Sequence, residues 1–342
     1  MRLAWFTPWP PDRSGIAAYS AELLPGLARH AAIDVFLDRQ TARGDAAPFE
    51  GVRLWSAHDF PRLHAAAPFD LIVYQLGNGR SHDYMWAYLV RYPGLVVVHD
   101  AQLHHARAAA LLRQGRATDY RAEFAFSHPG APPEVAEFIV NGLQGSPYYL
   151  WPHRRVPLAA ARAVAVHGPR LAEQLRDEAG VTPVLSIRMG TRPHAPAGRA
   201  AVDGSPVFAA FGGITFEKRI PQVLRAFAHA LETAPGARLV LVGEARDHYD
   251  VAGDAASLGI NERVTLAGYV EDEALDAWIE AADACLCLRW PTSRETSASW
   301  LRCLAAGKAT VVPDQLTTVD VPTLDPRHWQ LKHDRTDAPV RL

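Results

Sequence analysis

The stretch Arg289-Trp290-Pro291-Thr292-Ser293-Arg294-Glu295-Thr296-Ser297-Ala298-Ser299-Trp300-Leu301-Arg302-Cys303-Leu304-Ala305-Ala306-Gly307, continued by Lys308-Ala309-Thr310-Val311-Val312-Pro313, decides how this chain is read. It follows the apolar run Ala284 to Leu288 and reads as strand, polar loop with one carboxylate, helix stopped at a glycine, and a second short strand. Ser297 or Thr296 can cap the helix, which turns free N–H groups and the positive dipole end toward the loop. Such a loop suits an anion or a sugar hydroxyl; it also suits an ordinary strand–loop–helix unit of an α/β domain with nothing bound.

Outward from this stretch the pattern repeats. Val207-Phe208-Ala209-Ala210-Phe211 is followed by Gly212-Gly213-Ile214-Thr215-Phe216-Glu217-Lys218-Arg219 and a helix with Ile220, Val223, Leu224 and Phe227 at helical spacing. Glycines at a strand's carboxyl end, a helix start and two cations form an anion cradle, or else a turn with two solvated cations. Further strands are expected at Arg238–Glu244 and Val264–Val270, with a helix from Asp272 between the last of these and Ala284. Upstream, Leu3–Phe6 runs into Thr7-Pro8-Trp9-Pro10-Pro11-Asp12-Arg13-Ser14-Gly15-Ile16, where the prolines delay the helix to Ser14-Gly15. Ile16, Tyr19, Leu23 and Leu24 form its expected buried side. Gly15 either lets the loop pass close to a ligand or serves a tight turn. The dinucleotide fingerprint Gly-x-Gly-x-x-Gly is absent, which disfavours a nicotinamide enzyme.

Apolar, largely β-branched runs at Ile33–Leu37, Asp70–Tyr74, Leu95–Val98, Ala163–Val166 and Pro183–Ile187 suit strands buried on both faces of a parallel sheet. Ligands of such sheets sit beyond the carboxyl ends of the strands, so His99-Asp100-Ala101-Gln102-Leu103-His104-His105 stands out. His99 is placed in the wall of a site as a neutral imidazole, and His104 and His105 on the surface of the next helix. The cluster has metal donors, but no second ligand group accompanies it. The segment Ala106 to Arg155 is expected to be mostly helical. Its Tyr148-Tyr149-Leu150-Trp151-Pro152 admits a peripheral membrane or partner contact, beside the reading of solvated helix faces.

The 342 residues, 49% hydrophobic, allow two domains, each with its own core. Residues 1–195 form the first domain, the Pro/Gly/Ala-rich stretch 196–205 a linker, and 206–342 the second, with both strand-end rows facing across a cleft. A formal charge of −2 gives no case for nucleic acid. Lysine occurs only at positions 218, 308 and 332, so each lysine is open to individual weighing. Cys285, Cys287 and Cys303 lack metal-ligand spacing and read as buried, reduced thiols of a cytoplasmic protein. No apolar run approaches the roughly 20 residues of a membrane span, and the Met1 to Phe6 start is too short for a signal peptide.

Phe211-Gly212-Gly213-Ile214-Thr215-Phe216-Glu217-Lys218, Leu241-Val242-Gly243-Glu244, Ala267-Gly268-Tyr269-Val270 and Glu295 with the helix ending Ala305-Ala306-Gly307 occur in this order. In this combination the chain resembles the retaining GT-B glycosyltransferases of group 1, the large family 4-like group that includes sucrose synthases and bacterial mannosyl- and glucosyltransferases. The resemblance implies two Rossmann-like doubly wound α/β domains and a UDP-, GDP- or ADP-sugar donor held by the C-terminal one. It implies a carbohydrate or lipid-linked acceptor entering from the N-terminal one, and transfer with retention and without a metal or other cofactor. Lys218 matches the donor-phosphate lysine, with Gly213, Arg219 and Gly243 in the same donor site. Val270 matches the position where backbone meets nucleobase, and Glu295 the glutamate holding sugar hydroxyls, beside the amides of Thr296 and Ser297. His99 matches the histidine near the transferred sugar and Gly15 the glycine loop over the phosphates. His99, Glu295 and Lys218 are thus the expected catalytic set.

The chain departs from the family at three points. A second, ribose-binding glutamate usually follows the first after seven residues; counting from Glu295 gives Cys303, and counting back from Gly307 gives Arg302. Arg302 is therefore a candidate phosphate contact. The arginine usually five residues before the phosphate lysine is Gly213 here. Family members continue past the position of Leu342 into helices that cross back onto the first domain, so those helices are expected to be missing. The alternative to an active transferase is a catalytically impaired nucleotide-sugar-binding protein of the same fold.

Overall fold

A computed structural model describes residues 1–38, 48–195, 198–245, 249–292, 294–315 and 321–332. The chain divides into two compact units, Met1–Gly190 with Ser293–Thr296, and Thr191–Thr292 with Ser297–Leu342. The chain end, on which the expectation of missing crossover helices bears, lies outside the described residues, as do positions 196 and 197 of the expected linker.

The first unit is built on a seven-stranded parallel sheet of β1 (Arg2–Phe6), β2 (Ala32–Leu37), β3 (Val52–Ser56), β4 (Leu71–Leu76), β5 (Leu95–Val98), β6 (Ala163–Val166) and β7 (Val184–Ser186), in the order β3-β2-β1-β4-β5-β6-β7. Alternate residues feed two cores. Ala4, Phe6, Tyr74, Val96, Val98 and Val164 face one side, while Leu3, Trp5, Val73, Val97 and Ala165 face the other. Burial on both faces is what continuous apolar strands require. The β3 strand escapes sequence reading because Val52-Arg53-Leu54-Trp55-Ser56 alternates, with Arg53 turned outward to pair with the buried Asp34 at 2.9 Å.

Helices α1 (Gly15–Leu27), α2 (Phe60–Ala66) and α3 (Met85–Arg91) connect the first strands. In α1, Ala17, Ser20 and Leu24 are buried, but Leu23 is 38% exposed, contrary to expectation. One helical step puts Leu23 about 100° from Leu24, off the buried stripe. Between β5 and β6 the chain forms the expected helical segment: α4 (His104–Arg113), α5 (Ala117–Ser127), α6 (Pro133–Val140), α7 (Pro147–Leu150) and α8 (Arg155–Ala160). It has its own core of Ala108, Leu111, Tyr120, Phe124, Ala136 and Ile139. Helix α9 (Pro169–Ala179) then leads to β7.

In the second unit β8 (Val207–Phe211), β9 (Arg238–Val242), β10 (Val264–Gly268), β11 (Ala284–Leu286) and β12 (Ala309–Val311) form a parallel sheet in the order β10-β9-β8-β11-β12. The intervening helices are α10 (Ile220–Ala230), α11 (Val251–Ser257), α12 (Asp272–Ala281) and α13 (Ala298–Ala305). Again two cores flank the sheet, Ala210, Leu239 and Leu241 on one side and Val207, Ala209, Phe211, Val240 and Cys285 on the other. The segment after Gly190 is fastened along α12: Arg192 pairs with Asp276 at 2.8 Å, His194 with Glu280 at 2.5 Å, and the Ala200 N–H donates to the Ala277 carbonyl at 3.0 Å.

Candidate functional site

In an open parallel sheet the strand order reverses at one point, and the loops leaving the two strands there diverge to leave a crevice. In the second unit that point lies between β8 and β11. The loop after β8 is Gly212–Arg219, and the loop after β11 is the stretch from Cys287 to Ser297. They are joined directly, since the Trp290 N–H donates to the Glu217 carbonyl at 2.6 Å. Two pieces of sequence some 70 residues apart thus meet at this bond.

The Gly212 backbone N–H bonds the Val242 carbonyl at 2.8 Å, and the Ile214 N–H bonds that of Glu244 at 2.9 Å, so the glycine loop lies on the chain leaving β9. Lys218 folds back, its Nζ donating to the Phe211 carbonyl at 2.5 Å. A Cβ on Gly212 would lie 2.9 Å from that Nζ, and one on Gly243 would lie 2.2 Å from the Gly212 carbonyl oxygen. Gly212, Gly213, Lys218 and Gly243 are therefore brought together. Arg219 takes a left-handed conformation (φ 60°) immediately before α10, so Lys218 and Arg219 precede the helix rather than lie in its first turn. Val270 is half-buried beyond β10.

Downstream, Ser297 caps α13, its Oγ accepting from the Trp300 N–H at 3.3 Å; Thr296 lies outside the helix. Glu295 has one buried carboxylate oxygen and groups, with Arg294 and Thr296, with the first unit. Arg302 is 10% exposed at its side chain and pairs with Asp272 at the start of α12, at 2.7 Å. This pair holds the Asp272 carboxyl below the usual carboxylate range. Cys285 and Cys303 are buried thiols and Cys287 is half-buried. Among the described residues no group of three or more His, Cys, Asp or Glu could hold a metal ion.

In the first unit the order reverses between β1 and β4, which puts Gly15 and Gly77 at the divergence. Gly15 is the first residue of α1, capped by Ser14, and a Cβ there would meet nothing within 4 Å; a tight turn is not its role. Gly77 is the crowded one, a Cβ there falling 2.3 Å from Ile16 Cδ1. Asp100 accepts the Asn78 N–H at 2.8 Å, and the Asn78 side chain accepts the Ala106 N–H at 2.9 Å in the first turn of α4, tying the loops after β4 and β5 together.

His99 stands at the end of β5 and is buried. Its Nε2 meets Gln75 Oε1 at 2.7 Å and its Nδ1 meets His167 Nε2 at 3.2 Å, with the Tyr19 ring edge-on at 5.0 Å. Burial, then the neighbouring His167, lowers its pKa well below that of a free imidazole, so the ring is neutral at neutral pH. Both ring nitrogens are engaged, and contact with a ligand through either requires one of these bonds to open. Sequence reasoning marked Gln75-Leu76-Gly77-Asn78 as a strand-end stretch without pairing Gln75 with His99, and it missed His167. The signal was present: Gln75 is the lone strongly polar residue of β4, and His167 follows Val166 as His99 follows Val98, its register partner.

His104 corrects an expectation. It is fully buried, its Nε2 2.8 Å from the Tyr120 hydroxyl and its ring stacked on His153 at 5.0 Å, and burial lowers its pKa to about 3. Helix α4 turns this side into the core of the helical segment, whereas His105 is exposed as expected. In the aromatic stretch, Leu150 is exposed while Tyr148, Tyr149 and Trp151 are half-buried. No helix among the described residues is long and apolar enough to cross a membrane.

Comparison with known proteins adds the following. Residues 192–312 match the profile of the family described as glycosyl transferases group 1. Sucrose-phosphate synthase from Thermosynechococcus elongatus is similar in structure, with 15% identity and a TM-score of 0.62 over 91% of this chain and 81% of that one. HepE of Anabaena, solved with UDP-glucose, is similar at 14% identity and a TM-score of 0.54, over 91% and 80%. WaaG, a glycosyltransferase involved in lipopolysaccharide biosynthesis, is similar at 12% identity and a TM-score of 0.53, over 91% and 80%. At these identities the likeness is one of fold, the GT-B type with two parallel-sheet α/β domains. No curated protein sequence matches the chain.

Proposed function

From a chain of GT-B fold whose residues 192–312 carry a glycosyl transferases group 1 domain, we propose a glycosyltransferase that moves a sugar from a nucleotide-diphosphate donor to an acceptor hydroxyl with retention of configuration. The observation that carries this reading is the joining of the Gly212–Arg219 loop to the Cys287–Ser297 loop at the divergence of β8 and β11. Donor phosphates are read against the backbone of Gly212 and Gly213 and the cations Lys218 and Arg219, with Gly243 beneath. The nucleobase is read by backbone near Val270. Glu295, with the amides of Thr296 and Ser297, holds sugar hydroxyls. The UDP-glucose bound by HepE supports a nucleotide sugar of this class.

In the proposed reaction the bond from the anomeric carbon to the diphosphate oxygen breaks and the acceptor oxygen bonds to that carbon from the same face. The acceptor proton passes to the departing diphosphate. Charge gathers on the diphosphate, and Lys218 and Arg219 stabilise it without a metal ion. His99, neutral and held by Gln75 and His167, is a wall residue that reaches the sugar by exchanging one of those bonds. The acceptor is a carbohydrate or lipid-linked saccharide. Three free thiols fit a reducing, cytoplasmic setting, and the exposed Leu150 leaves room for a peripheral membrane contact.

A panel of UDP-, GDP- and ADP-sugars, assayed by calorimetry and turnover, tests the reading. Lys218→Ala and Glu295→Ala should each abolish donor hydrolysis and transfer while the far-ultraviolet circular dichroism is unchanged; retained turnover would sink it. The second reading, a nucleotide-sugar-binding protein without turnover, is favoured by one observation: Arg302, standing where a ribose carboxylate is expected, is committed to Asp272. Donor binding without transfer across all acceptors would establish it.

A further inference from the structure

Four neighbouring strands of the first sheet, in the order β4-β5-β6-β7, each supply one member of a hydrogen-bonded row along its carboxyl edge. Gln75 is next to last in β4, His99 and His167 directly follow β5 and β6, and Ile187 directly follows β7. The Gln75 amide meets His99 Nε2 at 2.7 Å, His99 Nδ1 meets His167 Nε2 at 3.2 Å, and His167 Nδ1 meets the Ile187 carbonyl at 3.4 Å. The Tyr19 ring stands edge-on to both imidazoles, at 5.0 and 5.5 Å.

Such a row can be oriented in either of two directions, and its two ends decide between them. A neutral imidazole has one N–H and one bare nitrogen, and burial keeps both rings neutral at neutral pH. A carbonyl oxygen only accepts, so His167 must turn its N–H, on Nδ1, toward Ile187. Its Nε2 is then bare and accepts from His99 Nδ1–H, which leaves His99 Nε2 bare in turn. That nitrogen needs a donor, which the Gln75 amide supplies through its own Nε2. The other end agrees independently. With Oε1 toward His99, the Nε2 of Gln75, a residue 0% exposed, has no acceptor among the described residues. Turning the amide over gives that group an acceptor and leaves an unpaired carbonyl oxygen instead, the less costly of the two orphans. The opposite direction keeps the orphaned amide N–H and also sets a bare His167 nitrogen against a carbonyl.

We propose that Gln75 and His167 are positioning residues that hold the His99 ring in one orientation and in its Nδ1–H form, through a relay directed from the Gln75 amide to the Ile187 carbonyl. A ring so held keeps its one proton turned toward His167, which prevents His99 from serving as a proton donor. That His99 borders the transferred sugar rests on the glycosyltransferase reading; the direction of the relay does not.

Long-range proton–nitrogen correlation NMR on the full chain reads the direction without any ligand, with His99→Asn and His167→Phe identifying the signals. His99 and His167 should both show a protonated Nδ1 and a bare Nε2 in the unaltered chain, which decides the direction whether or not a variant folds. His167→Phe removes the acceptor, and His99 should then redistribute toward its Nε2–H form. His167→Gln, whose amide can accept from His99 and donate to Ile187, should retain Nδ1–H. For UDP-glucose hydrolysis, kcat/KM should fall about tenfold in His167→Phe and in Gln75→Met, the loss of one hydrogen bond, and recover in His167→Gln. An Nε2–H His99 in the unaltered chain, a tautomer indifferent to His167→Phe, or equal rates in His167→Phe and His167→Gln would each overturn the assignment. The Nδ1–H pattern in a protein that turns over no nucleotide sugar would uphold the relay and remove the transferase reading.

Discussion

Substituting Gly243 by alanine should damage the donor loop from below. The residue has φ 153°, in the region that disfavours a side chain, and an added Cβ would lie 2.2 Å from the oxygen and 2.5 Å from the carbon of the Gly212 carbonyl. The obstacle is backbone on both sides, pinned by the Gly212 N–H bond to Val242, so no rotamer change relieves it. Unfavourable φ contributes about 1–3 kcal/mol and overpacking about 1–3 kcal/mol, together about 2–6 kcal/mol. For a unit of this size that lowers Tm by on the order of 10 °C. Because Lys218 Nζ is bonded one residue away at Phe211, displacement of Gly212 also moves the phosphate cation. Differential scanning calorimetry and a UDP-glucose titration should show both losses. Gly15→Ala is the control: with open space and helical surroundings it should hold or gain about 0.5 kcal/mol. Equal Tm values for the two variants would refute the reasoning.

Acid should destabilise the first unit. Burial lowers His82 and His128 to about 4 and His104 to about 3, so below the free imidazole pKa near 6.5 the unfolded chain binds protons that the folded one refuses. Stability contributed by these neutral rings is whole above about pH 6.5 and falls progressively toward pH 4. A Tm that stays level from pH 7 to 4.5 would contradict this, and His82→Asn should flatten the slope. Arg302→Glu faces Asp272 and should lower Tm, with the Asp272→Arg exchange restoring it; a single variant that loses donor affinity without losing Tm would instead assign Arg302 to the phosphates.

Local sequence was sufficient for much of this. Runs such as Leu95–Val98 and Val207–Phe211 can satisfy their pattern only as strands covered on both faces, and Gly212-Gly213 before Lys218 marks a strand-end loop without reference to distant residues. The Ser297 cap and the α13 stop were readable for the same reason, since capping involves residues three or four apart. Tertiary structure decided whatever depends on which strands become neighbours. Strand order brings His167 to His99 and Trp290 to Glu217, and α12 brings Asp272 to Arg302. It separates two glycines that look alike in sequence: Gly15 borders open space, whereas Gly243 is pressed against Gly212. It likewise turned His104 inward beside Tyr120, although adjacent His105 faces solvent. Periodicity records which side of an element is apolar. Which chemical groups meet there is set by packing between elements far apart in the chain, and the bond of Gln75 to His99 exists only at that level.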